Sequence, residues 1–97
     1  MSFQQEVLKL TKKIPKGKVT TYKMIAQRLD TKAYQAVGNA LHSNKQPIKI
    51  PYHRVINSDL SLGGYSSGIE KKIILLRKEG IKIKDGKVAK EFIFSFS

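Results

Sequence analysis

Apolar positions in the first third of the chain recur at helical spacing. Phe3, Val7, Leu10 and Ile14 share one helical face, and Ser2 with Gln5 forms a capping box at its start. Pro15 and Gly17 close that segment. Val19-Thr20-Thr21 follows, with Thr20 or Thr21 as the cap of a second helix striped by Tyr22, Ile25, Ala26 and Leu29. The pattern breaks at Asp30-Thr31. Thr31 is the expected cap of a third helix that buries Ala33, Ala36, Val37, Ala40 and Leu41. Two short helices joined by a tight polar turn have the outline of a helix-turn-helix.

From Ser43 to Gly68 the pattern turns irregular, punctuated by Pro47, Pro51, Gly63, Gly64 and Gly68. A loop of that length in so short a chain points to function. A fourth helix is expected from Ile69, with Ile73 and Leu76 inward and Gly80 as its stop. Ile81-Lys82-Ile83-Lys84, Asp85-Gly86 and Lys87-Val88-Ala89-Lys90 read as a hairpin around a two-residue turn. The tail Phe92-Ile93-Phe94-Ser95-Phe96 either packs back on the domain or is mobile. There is no repeat or linker, so residues 1–97 read as one domain, with 84–97 as a peripheral or mobile end.

Composition narrows the chemistry. The 97 residues hold no cysteine, which excludes disulfides, thiolate metal sites and thiol nucleophiles. Two histidines, His42 and His53, are too few for a structural zinc site, so neither metal nor cofactor is expected. The apolar runs are too short for a membrane span, and no signal peptide is evident; the chain reads as soluble and intracellular. Nineteen Lys and Arg against seven Asp and Glu leave a net charge of +12, a field suited to a polyanion. The cations cluster at residues 9–18 and again at 71–90. Without a broad apolar face beside them, nucleic acid is favoured over membrane.

The long loop carries Pro51-Tyr52-His53-Arg54-Val55. This run resembles the Pro-Cys-His-Arg-Val active site of the C-terminal domain of O6-alkylguanine-DNA alkyltransferases. Ile14-Pro15-x-Gly17-x-Val19-x-x-Tyr22, Ala36-Val37-Gly38, Asn44, Leu62-Gly63-Gly64-Tyr65-Ser66 and Leu75-Leu76-x-x-Glu79-Gly80 follow in that family's order and spacing. The resemblance runs from about residue 3 to residue 84; the family's N-terminal domain has no counterpart. It implies a mainly α, winged helix-turn-helix fold with a small C-terminal hairpin, and a recognition helix at about 33–43 lying in the minor groove.

It also implies roles. The alkyl-accepting cysteine falls on Tyr52, the activating histidine on His53, the glutamate orienting it on Glu79, and the loop asparagine of that network on Asn44. Tyr22 takes the place of the tyrosine that presses on a phosphate at the flipped nucleotide. Tyr52, Val55, Tyr65 and Ser66 fall at the lesion pocket. Gln35, Ala36, Gly38, Asn39, His42 and Arg54 complete the expected DNA-binding set, Arg54 having a second reading as a structural anchor for the loop. His53 likewise reads either as a remnant of the active site or as a histidine that holds the pocket loop.

Two positions depart from the family. Alkyl transfer needs a soft nucleophile, which a thiol beside an imidazole supplies and a phenol does not. Tyr52 therefore places the chain with the alkyltransferase-like proteins, which bind O6-alkylguanine in DNA without repairing it and pass it to nucleotide excision repair. Gln35 stands where the family usually has an arginine that fills the gap left by the flipped base; glutamine brings neither charge nor a flat cation. The expected partner is double-stranded DNA, preferably bearing O6-alkylguanine, with nucleotide excision repair proteins downstream. The expected form is a monomer, in the cytoplasm on the nucleoid or in a nucleus. Two alternatives stand beside this reading: an alkyltransferase whose acceptor cysteine has been substituted, and a lesion-independent DNA-binding module on the same scaffold.

Overall fold

A computed structural model describes residues 2–42, 50–63 and 68–96. The first helix, α1 (Phe3–Lys12), starts at the expected capping box: Gln5 N–H donates to Ser2 Oγ at 3.2 Å, and Ser2 N–H to Gln5 Oε1 at 3.1 Å. It ends before Ile14, which is buried from the turn that follows the helix. Thr21 caps α2 (Tyr22–Arg28) by accepting from Met24 N–H at 3.1 Å. The third helix, α3 (Tyr34–His42), starts later than Thr31 suggests. Thr31 Oγ1 accepts from Ala33 N–H at 3.1 Å, a local turn that competes with helix and leaves Ala33 exposed outside it. Ala36 is half-buried, whereas Val37, Ala40 and Leu41 are buried.

The irregular stretch contains a short 3-10 turn at Tyr52–Arg54 and a strand that periodicity did not reveal. Thr20–Thr21 (β1) pairs in parallel with Val55–Ile56 (β2), Thr20 opposite Val55 and Thr21 opposite Ile56. Neighbouring strand residues point to opposite faces. Val55 accordingly enters a core with Val7, Leu10, Ile25, Val37, Leu41 and Tyr52, while Ile56 enters a second core with Val19, Leu62, Leu76, Ile81 and Val88. This pair of strands is the wall between the two cores.

The last elements are α4 (Ile69–Lys78), stopped at Gly80 in the left-handed region, and the hairpin β3 (Ile83–Lys84) and β4 (Lys87–Val88). Its turn residues Asp85 and Gly86 have φ of 53° and 74°, as a type I′ turn requires. The aromatic tail packs back: Val19 N–H donates to Phe92 O at 2.8 Å, Phe94 N–H to Val19 O at 2.7 Å, and the Phe94 and Phe96 rings meet edge to face. No helix of the described residues is long and apolar enough to cross a membrane.

Candidate nucleic-acid interface

Burying Val37 and Leu41 turns the other face of α3 outward, so Gln35 and Asn39, one turn apart, share an exposed face. With Gly38 they form one wall of an open groove of about 600 Å³. Tyr22, Lys23 and Tyr34 line it from α2 and the start of α3, and Asn57, Ser58 and Asp59 from the turn after β2. A side chain at Gly38 would meet nothing within 4 Å, so this stretch of the helix backbone is open to a ligand. Gly63, at φ 71°, packs so close to Asn57 that a Cβ would sit 3.0 Å from its Oδ1. Burial raises the Tyr22 phenol above its ordinary value, so the hydroxyl stays a neutral donor. Hydrogen bonds from Ser61 hold the exposed Asp59 carboxyl below its usual range.

A charged network joins the Tyr52–Arg54 turn to the end of α4. Arg54 grips Glu79 in a fork, Nε to Oε1 at 2.8 Å and Nη2 to Oε2 at 2.6 Å, while its Nη1 donates to Ile14 O at 2.8 Å. His53 Nε2 lies 3.0 Å from Glu79 Oε2. Burial would raise the Glu79 carboxyl, but the hydrogen bonds from Arg54 and His53 outweigh it and hold the group below its ordinary value. Burial pushes His53 down, and Arg54 and Lys72 add to this; the opposing pull of Glu79 is smaller. His53 is therefore a neutral imidazole at pH 7, with Nε2–H donating to Glu79 and the lone pair on Nδ1. That nitrogen is buried and has no hydrogen-bond partner among the described residues.

Tyr52, beside this histidine, is only 4% exposed and packs in the core of α1, α2 and α3. Val55 is fully buried in the same core. Lys72 is a feature that sequence reasoning missed. It is fully buried on α4, and its ammonium donates to Val55 O at 2.7 Å and Leu62 O at 2.5 Å, joining the two legs of the loop between them. Burial pushes its pKa down to about 8. Its place one turn before Leu76, on the inward stripe of α4, was the available signal.

The structure thus separates the expected site residues into two sets. Tyr22, Gln35, Gly38 and Asn39 come together along the groove, where Lys23, Tyr34 and Asn57 to Asp59 join them without having been singled out. Tyr52, His53, Arg54, Val55 and Glu79 come together inside. The guanidinium of Arg54 is committed to Glu79 and Ile14, the arrangement of an anchor. Ala36 lies on α3 but is not among the residues lining the groove. Asn44, Tyr65 and Ser66, and the side chain of His42, fall outside the described residues.

Comparison with known proteins agrees with this geometry. Residues 2–81 match the family model of the 6-O-methylguanine DNA methyltransferase DNA-binding domain. A methylated-DNA–protein-cysteine methyltransferase of Saccharolobus islandicus is 48% identical over 83 residues, covering 86% of this chain and 54% of that protein. A bifunctional methyltransferase/endonuclease of Picrophilus torridus is 50% identical over 76 residues, covering 77% of this chain and 26% of that protein. The chain thus spans about half the length, or less, of these curated relatives. Among solved structures, S. pombe Atl1 in complex with damaged DNA containing O6-carboxymethylguanine superposes with a TM-score of 0.84 at 28% identity, covering 96% of this chain and 94% of that one. Mycobacterium tuberculosis OGT in complex with DNA gives 0.78 at 40% identity, covering 82% and 49%. With its helix-turn-helix, its Pro-x-His-Arg-Val turn and the His53–Glu79–Arg54 network, the chain belongs to the 6-O-methylguanine DNA methyltransferase DNA-binding domain family.

Proposed function

We propose that this domain binds duplex DNA along the α2–α3 groove, holds an extruded O6-alkylguanine beside the Pro51–Val55 turn, and transfers no alkyl group. One observation carries the reading: a member of a family whose reaction needs a thiol has no cysteine at all, and Tyr52 stands in its signature turn where the resemblance puts the accepting cysteine. The network behind the turn persists, with His53 neutral and braced by Glu79, but it has no thiol to activate. The likeness to solved DNA complexes, one with a damaged duplex, supports DNA as the partner, as does the net charge of +12.

In this reading Tyr22 donates to a phosphate, and Gln35 enters the stack to occupy the vacated base position. Gly38 and Asn39 face the minor groove, with Ala36 and His42 on the same helix. Tyr65 and Ser66 meet the lesion, while Tyr52 and Val55, packed in the core, support the turn from behind. Arg54 serves DNA only through the turn it anchors. Without transfer, the bound lesion must be signalled to other proteins. Those of nucleotide excision repair are the fitting class, met by a monomer on the nucleoid or in a nucleus. The test is to incubate the protein with a duplex carrying isotope-labelled O6-methylguanine, then recover both. The expected result is unlabelled protein and intact lesion; label on Tyr52, or on any other residue, overturns the reading.

A further inference from the structure

The match to the family's DNA-binding domain stops at residue 81, just before the β3–β4 hairpin. This hairpin is short and basic, with Lys84 and Lys87 exposed in it, Lys82 just before it and Lys90 just beyond. Its register sets Lys84 directly opposite Lys87. Like charges opposed across two strands are destabilising, and a hairpin of this size has little stability to spare. Neither lysine is within ion-pair distance of a carboxylate among the described residues, although the Asp59 carboxyl feels the charge of Lys87. Two adjacent ammoniums kept against local stability suit an anion that sits between them.

The hairpin is also held in a fixed place. Leu62 N–H donates to Gly86 O at 3.2 Å, Val88 N–H donates to Leu60 O at 3.0 Å, and Ser61 bridges Lys87. Residues 57–59 of this same segment form the edge of the α2–α3 groove. The Asp59 carboxyl, lowered chiefly by Ser61, also feels the charge of Lys87. Lys87 thus lies beside the segment that forms the groove's edge, with Lys84 opposite it in the hairpin.

We propose that the β3–β4 hairpin is a second DNA-contacting element, in which Lys84 and Lys87 grip the sugar-phosphate backbone where the duplex leaves the α2–α3 groove. This rests on the DNA-binding reading above and extends it past residues 2–81, the stretch that the family model matches. Phosphate contacts of this kind add affinity without sequence preference and release counterions.

The experiment measures binding of an undamaged duplex by fluorescence anisotropy between 50 and 200 mM salt, with folding of each variant checked by circular dichroism. The Lys84→Gln/Lys87→Gln double variant should lose at least about fivefold in affinity at 100 mM salt, and its log–log salt slope should be shallower by about two. Lys84→Arg/Lys87→Arg should restore both. Lys9→Gln/Lys13→Gln removes the same charge from α1, which packs behind α3, and should change the slope much less. A hairpin variant with the wild-type slope, or equal losses in the α1 variant, would overturn the proposal while leaving DNA binding intact. Failure of the wild-type protein to bind the duplex at all would overturn the DNA reading itself, and the hairpin's ligand with it.

Discussion

In the reading proposed above, Gln35 sets binding strength: it is exposed on α3 and lines the groove without a charge of its own. Extruding a base costs a few kcal/mol, part of which a side chain can return by filling the gap. Glutamine fills it with an amide; a guanidinium would also stack and place a cation in a negative groove. Gln35→Arg should tighten binding to an O6-methylguanine duplex by about 1 kcal/mol, roughly fivefold, in a direct titration. An unchanged affinity would mean that another side chain occupies the gap. Sequence reading was uneven at this scale. Arg54 and Glu79 were legible because the motif spacing names them, although only the structure shows that the guanidinium is spent on Glu79 and Ile14. Lys72 was hidden because a lysine in a helix reads as solvated, and only tertiary packing supplies the carbonyls of Val55 and Leu62 that let it be buried.

Among the elements, the network of the 3-10 turn and the end of α4 controls the site. Glu79 joins His53 and Arg54 across a gap of about 25 residues in sequence, so it ties the turn to the end of α4. The folded-state pKa of His53 lies below its ordinary 6.5, and that of Glu79 below its ordinary 4.5. In both cases the unfolded chain binds more protons as pH falls, so the stability present at neutral pH is lost in acid. Thermal unfolding should therefore move to lower temperature as pH drops below about 6.5, and again below about 4.5. Glu79→Gln leaves Arg54 without its carboxylate in a nearly buried site. It should cost about 3 kcal/mol at pH 7, measured by urea denaturation, and flatten the decline in the lower range. A melting temperature that is flat from pH 7 to 4 would show that the network does not brace the turn.

Which elements were legible follows from how local their causes are. The Ser2–Gln5 box, the Thr21 cap and the Asp85–Gly86 turn act within a few residues, and each forms as its residues suggest. Thr31 misled because its hydroxyl can equally serve a turn two residues on, which it does. The β1–β2 pairing left no trace in the pattern: each strand has two residues, too few for a period, and their partners lie far apart in sequence.

For the whole molecule, the balance between scaffold and charge explains how a small chain can be committed to one ligand. Two cores share the β1–β2 wall, and the aromatic tail seals against Val19, leaving α2, α3 and the 57–59 turn free to shape a groove. The net charge of +12 attracts any duplex alike, so charge alone cannot distinguish a damaged base from an intact one. In the reading proposed above, discrimination comes from the turn holding Tyr52 and His53. The most direct measurement compares affinities for two duplexes identical except for a single guanine or O6-methylguanine, at one fixed salt concentration. Tighter binding to the methylated duplex by about tenfold or more, near 1.4 kcal/mol, is expected of a lesion sensor. Equal affinities would contradict it and leave a DNA-binding module that does not read the base.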